Sequence, residues 1–139
     1  MKISLHRIGE KFAFEAKNET GNTMMLDTSV AGGGEGKGFT PMELLVAGVA
    51  GCSGIDIVHI LRKQRQEIDE FSIETIAEKE KVEDYSVWKK IHLIYKLKGK
   101  IDAEKALRAA KLSHEKYCSV SKALHHTSEI TFEVKVNQN

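Results

Sequence analysis

From Thr40 to Leu61 the chain is written for one long helix. Thr40 suits an N-cap, Pro41 suits the first helical position, and Glu43 closes a capping box with Thr40. Leu44 to Leu61 is apolar nearly all round the helical wheel, which predicts a buried central helix ending at about Lys63 or Gln64. Gly48, Gly51 and Gly54 interrupt it, and each costs about 1 kcal/mol relative to alanine. They are therefore expected to admit another backbone at close range, or to leave room for a small ligand. The longest uncharged stretch, Leu44 to Ile55, is bounded by Glu43 and Asp56 and is 12 residues long, too short to cross a bilayer.

A helix this apolar has to be covered, and the flanking sequence supplies strands to do it. Phe12, Phe14 and Ala16 alternate with charged or small residues, and Gly9-Glu10 and Asn18 to Asn22 offer turn chemistry, so residues 2–27 read as a meander of two or three strands. Phe71 to Glu78 and Lys90 to Leu97 alternate at period two and predict half-buried strands, with the polar stretch Lys79 to Ser86 connecting them. Asp102 can cap a second helix from Ala103 to about Lys116, with Ala103, Leu107 and Ala110 on one face. A short helix from Ser119 to about His126 and a last strand, Ile130 to Val136, complete an α+β chain with a largely antiparallel sheet. The glycine-rich segment Ala31 to Gly38 reads as a flexible linker. No strand runs directly into it and no Lys-Ser/Thr pair follows, so it is not a phosphate cradle.

With 139 residues the chain fits a single domain, spanning 1–139, that can bury a core without disulfide staples. A formal charge of +1 gives no electrostatic reason to expect nucleic acid or an anionic membrane as a partner. The N-terminus lacks the apolar run of a signal peptide. Two cysteines do not make a secreted disulfide framework. A cytoplasmic location is expected, where a conspicuous thiol pair is often catalytic or redox-sensing.

Those cysteines are the candidate chemistry. Cys52 lies mid-helix among glycines, with Ser53 and Asp56 adding polar atoms; a buried cysteine can equally be an inert apolar filler. Cys118 sits at a helix start, where free N–H groups favour a thiolate, with Lys116 and Lys122 close in sequence; it could also merely seal a turn. Asp56 and His59 follow Cys52 along one helix face, but seven residues place His59 about 10 Å away along the axis, too far for a catalytic base in the same helix. The six histidines, among them His114 and the adjacent His125 and His126, show no paired metal-ligand spacing, so neither a metal nor a resident cofactor is expected.

Pro41-Met42-Glu43-Leu44-Leu45-Val46-Ala47-Gly48-Val49-Ala50-Gly51-Cys52-Ser53 resembles the central-helix signature of the OsmC/Ohr family, the osmotically inducible and organic-hydroperoxide-resistance proteins. Glu115-Lys116-Tyr117-Cys118-Ser119-Val120 resembles that family's second cysteine motif. The resemblance implies an α+β, OsmC-like fold with antiparallel sheets packed on the long central helix, and an intertwined homodimer with its active sites at the subunit interface. It implies a thiol-dependent peroxidase that reduces organic hydroperoxides in oxidative-stress defence. Cys52 would be the attacking thiol, Cys118 the resolving one, and an external dithiol, often a lipoyl group, the reductant and co-substrate. The chain departs from the family pattern at one pair. Peroxidatic members carry Glu directly after the proline, where this chain has Met42 with Glu43 one place later, and the Arg that partners that Glu has no match in Arg7 or Lys11. The sequence therefore resembles a subgroup without the usual Arg-Glu pair. The alternative is a non-catalytic dimeric module of the same fold that senses redox state or holds a small ligand, and a blander one is a pair of inert core cysteines.

Overall fold

The computed structural model describes residues 1–139. Its contacts divide the chain into two compact units, residues 1–45 and 46–139. The first holds β1 (Ile3–Arg7), β2 (Phe14–Asn18) and β3 (Thr23–Leu26), an antiparallel meander in the order β1-β2-β3, as the turn chemistry predicts. Only Ala13 and Ala16 are deeply buried among its apolar strand and loop residues, while Ile3, Leu5, Phe12, Phe14 and Met24 are exposed.

The glycine-rich loop of this unit is tied down, contrary to the flexible linker expected. The buried Asp27 carboxylate accepts hydrogen bonds from the backbone N–H groups of Thr28, Glu35 and Lys37 at 2.7, 3.1 and 3.1 Å. A short polar side chain at the loop's root thus satisfies donors that water would otherwise take. The N–H of Lys37, first among these partners, holds the Asp27 carboxyl below its usual 3.8. A carboxyl lowered on folding contributes stability that is full above its unfolded value and disappears as pH falls through the folded one. The Glu35 and Lys37 amide resonances are therefore expected to titrate together below pH 3.8, and Asp27→Ala to speed hydrogen exchange at both. Amides unmoved by either change would remove the carboxylate from its role.

The central helix, α1 (Pro41–Lys63), starts as its capping box predicts: the Glu43 N–H donates to Thr40 Oγ1 at 3.2 Å and the Thr40 N–H to Glu43 Oε1 at 3.4 Å. It stops in a Schellman turn, where Gln66 N donates to Leu61 O and Arg65 N to Arg62 O, with Arg65 left-handed at φ 56°. By length and hydropathy α1 could span a bilayer, but Val49, Ser53, Gly54, Ile57 and Leu61 pack into the core of the second unit. The expectation of a helix buried all round needs correction, because only this inward face is covered and Ile55 remains 62% exposed. Nor does a backbone crowd the glycines. A Cβ on Gly54 would meet the side chain of Ile73, one on Gly48 would touch Val120, and one on Gly51 would meet open space.

The second unit is built on a three-stranded sheet, β4 (Glu67–Val82), β5 (Tyr85–Lys100) and β6 (Glu129–Val136), in that order. The predicted connector Lys79 to Ser86 is mostly strand: the β4–β5 ladder runs to Val82↔Tyr85, and only Glu83-Asp84 turns, with Glu83 at φ 55°. Polarity misled there because the hairpin tip is solvated on both faces while the backbone ladder, blind to side chains, carries on. The sheet is also mixed, since β6 runs parallel to β5. Ile91, Leu93, Tyr95 and Leu97 of β5 face the core with α1 and α2 (Ala103–Leu112). Asp102 caps α2, accepting from Lys105 N at 3.0 Å, as expected. The helix ends earlier than predicted and buries Ala110 as expected, but with Ala106 and Ala109 rather than Ala103 and Leu107, leaving Leu107 exposed. Small alanines let the helix approach closely, so size outweighed hydrophobicity in choosing the face.

Candidate functional site

After α2 the chain widens into a π-helical turn, Ser113–Tyr117, before the short α3 (Ser119–Leu124). This turn places the second cysteine. Its first residue, the fully buried Ser113, donates its hydroxyl to Asp56 Oδ2 of α1 at 2.8 Å. At its end the Cys118 N–H donates to Ser113 O at 2.7 Å. Cys118 is thereby moored to the helix that carries Cys52. As N-cap of α3 it receives the Ser121 N–H on Sγ at 3.4 Å.

The two thiols, 66 residues apart in sequence, share one neighbourhood: both cysteines are free, Cys52 acts on the Cys118 thiol, and both act on the Tyr95 hydroxyl. Cys118 is fully buried while Cys52 is partly open to solvent. Burial pushes the Cys118 thiol above its usual value of 9.0; bonds from the side chain and N–H of Ser121 oppose the rise, and its bond and charge repulsion with Cys52 add to it. The helix start thus fails to make Cys118 a ready thiolate. Cys118 holds its proton, and Cys52 is the more exposed of the two cysteines.

Behind the pair lies a polar thread that the sequence reading left unassigned. Ser53 Oγ donates to Val49 O at 2.8 Å, the Tyr95 hydroxyl donates to Ser53 Oγ at 2.6 Å, and Tyr95 Oη lies 2.7 Å from His114 Nε2. His114 Nδ1 lies 3.1 Å from Ser121 Oγ, and Ser121 in turn bonds Cys118. The His114 ring stacks on Phe132 with centroids 4.9 Å apart and planes 12° from parallel. Burial raises the Tyr95 phenol far above its ordinary value and pushes the His114 imidazole below 6.5, with Asp56 opposing the latter. One sign of the thread was legible: a tyrosine on the inward stripe of an apolar strand must find a partner for its hydroxyl.

His59 is not part of this cluster. It lines a groove of about 380 Å³ along α1 with Gly51, Gly54, Ile55 and Ile73, and makes no hydrogen bond to either thiol. In the first unit, Glu43 is committed to the capping box, and Arg7 donates to the backbone carbonyls of Lys11 and Glu10.

Residues 34–133 match the family described as OsmC-like protein. Protein YhfA of Escherichia coli (strain K12) is 31% identical over 128 residues, 91% of this chain and 92% of its own. A hypothetical protein of Aquifex aeolicus VF5 has a solved structure with a TM-score of 0.78 at 31% identity, covering 99% of this chain and 97% of that one. The organic hydroperoxide resistance protein OhrB of Bacillus subtilis, at 24% identity and 96% coverage of both chains, shares the fold with a TM-score of 0.68. An α+β architecture that superimposes on these structures and a family match over most of its length make this chain a member of the OsmC-like family.

Proposed function

We propose that the protein reduces organic hydroperoxides with its two thiols. The observation that supports this reading is that a buried, protonated Cys118 and a partly exposed Cys52 share one neighbourhood, with Cys52 acting on the Cys118 thiol. The Cys52 thiolate attacks a peroxide oxygen, the O–O bond breaks, and an alcohol leaves as Cys52 becomes a sulfenic acid. Cys118 then displaces hydroxide from that sulfur, forming the Cys52–Cys118 disulfide and water. An external dithiol, such as a lipoyl group, restores both thiols by exchange. The apolar groove beside Gly51 suits a hydrophobic peroxide better than hydrogen peroxide. A homodimer belongs to this reading, because Ile55 stands exposed at the middle of α1 and a Cβ on Gly51 would meet open space within this chain. A reducing compartment such as the cytoplasm would keep the resting thiols free.

The test is stoichiometric. One equivalent of cumene hydroperoxide is expected to yield one equivalent of cumyl alcohol, remove both titratable thiols and lower the intact mass by two hydrogens, and reduced lipoamide to reverse the change. Thiols that survive the peroxide would leave the chain with the alternative role, a redox-sensing or ligand-holding module of the same fold.

A further inference from the structure

The thread behind the thiols has a direction, and the direction fixes where a proton can go. A carbonyl only accepts, so at Val49 O the Ser53 hydroxyl must be the donor. Ser53 Oγ is then free to accept from Tyr95, which donates at 2.6 Å. Tyr95 has spent its single proton, so its oxygen accepts the Nε2–H of His114 at 2.7 Å. A neutral imidazole with its proton on Nε2 presents a lone pair at Nδ1, and that lone pair faces the Ser121 hydroxyl at 3.1 Å. Ser121 meets both groups: its hydroxyl faces this lone pair, and its backbone N–H donates to the Cys118 sulfur at 3.4 Å. From the Ser121 hydroxyl to the helix carbonyl every link runs one way.

We propose that His114 is the proton acceptor for the resolving thiol, working through Ser121 and held in the required tautomer by the Tyr95–Ser53–Val49 thread. This rests on the two-thiol reading above and adds to it the residue that frees Cys118 for attack. While Cys52 carries a charge, the Cys118 S–H points to it. Once Cys52 is a sulfenic acid that charge is gone, and the S–H turns to Ser121. As Cys118 attacks, its proton passes to Ser121, whose own proton moves to His114 Nδ1. The S–S bond forms and the S–O bond of Cys52 breaks. The Cys118 sulfur is oxidised and the Cys52 sulfur reduced. The imidazolium returns its proton by the same route to the departing hydroxide, which leaves as water.

The surroundings suit the task. Asp56 from α1 is the charge that acts on the ring, Tyr95 from β5 bonds its Nε2 and itself feels Asp56, Cys52 and Cys118, and the uncharged Phe132 of β6 stacks upon it. Burial keeps the imidazole neutral and able to accept at rest, and Asp56 favours the imidazolium once it forms. The extra residue of the π turn swings His114 inward beside the cysteine it serves, and such turns recur at functional sites.

Resolution can be timed without peroxide. With Cys52 held as a mixed disulfide with thionitrobenzoate, attack by Cys118 releases the coloured thiolate. The parent is expected to show a rate that is level above the lowered His114 value and falls below it, on the acid side of pH 6.5. His114→Gln should slow release on the order of 10²-fold and give a rate that climbs with pH as the thiol ionises unaided. Ser121→Ala, which cuts the link and leaves the His114–Tyr95 bond intact, should do the same. Release at the parent rate with the parent pH profile in both variants, or no release from the parent, would overturn the relay. A failure of the peroxidase reading shows elsewhere, as a parent whose Cys52 gives no sulfenic acid with cumene hydroperoxide while the release assay behaves as stated.

Discussion

Cys118→Ser is expected to leave a protein that consumes one peroxide and stops, while Cys52→Ser should consume none. The difference follows from burial. Cys52 is the cysteine partly open to solvent, and Cys118 is buried and holds its proton. Without Cys52 no other group in the cluster has the nucleophilicity of a thiolate, so turnover should fall on the order of 10³-fold or more. Without Cys118 the first step is untouched, but the sulfenic acid has no neighbour to condense with. It should persist long enough to be trapped by dimedone on Cys52, at one label per chain. Serine at position 118 keeps the N-cap, since its oxygen can accept the Ser121 N–H, so loss of turnover cannot be blamed on a lost helix start. Undiminished peroxide consumption by Cys52→Ser, or sustained turnover by Cys118→Ser, would reverse or remove the two assignments.

The largest effect on stability is expected far from the sulfurs, at Gly99. Its backbone has φ 140°, a conformation that side-chain-bearing residues rarely adopt. A Cβ there would stand 2.1 Å from Glu67 O and 2.9 Å from Asp69 N, both backbone atoms that cannot swing aside. The position is the bulge where the β4–β5 register slips between Ile68 and Glu70. It is also where Asn137 closes the sheet, accepting from Gly99 N at 3.0 Å and donating to Gly99 O at 2.9 Å. Gly99→Ala must therefore either strain this backbone or move β4, and with it the anchoring of β5, which carries Tyr95. A loss of about 3 kcal/mol is expected from the combined strain and clash, lowering the melting temperature by roughly 10 °C. Urea denaturation measures it; a change within about 0.5 kcal/mol, the range of an ordinary surface substitution, would show that the bulge yields freely.

Most of the secondary structure could be read from local signals. The capping box of α1, the Asp102 cap of α2 and the period-two stripe from Ile91 to Leu97 each need only neighbours within a few residues, so the sequence states them directly. The errors share a cause. The β4–β5 tip, the exposed Leu107 and the bare flank of α1 all depend on what lies across space. The tie from Asp27 to the glycine loop spans eight and ten residues and follows no periodicity.

The candidate site divides along the same line. The residues themselves set the chemistry: two thiols, one in a glycine-thinned helix and one at a helix start, in motifs that resemble a peroxide-reducing family. That Cys52 and Cys118 share one neighbourhood, that Cys118 is the one sealed with its proton, and that Tyr95, His114, Ser53 and Ser121 line up behind them were decided only when α1, β5, the π turn and α3 packed together. A hydrogen bond is fixed by position and direction to within fractions of an ångström, and no pattern along a chain encodes where four separate elements will converge.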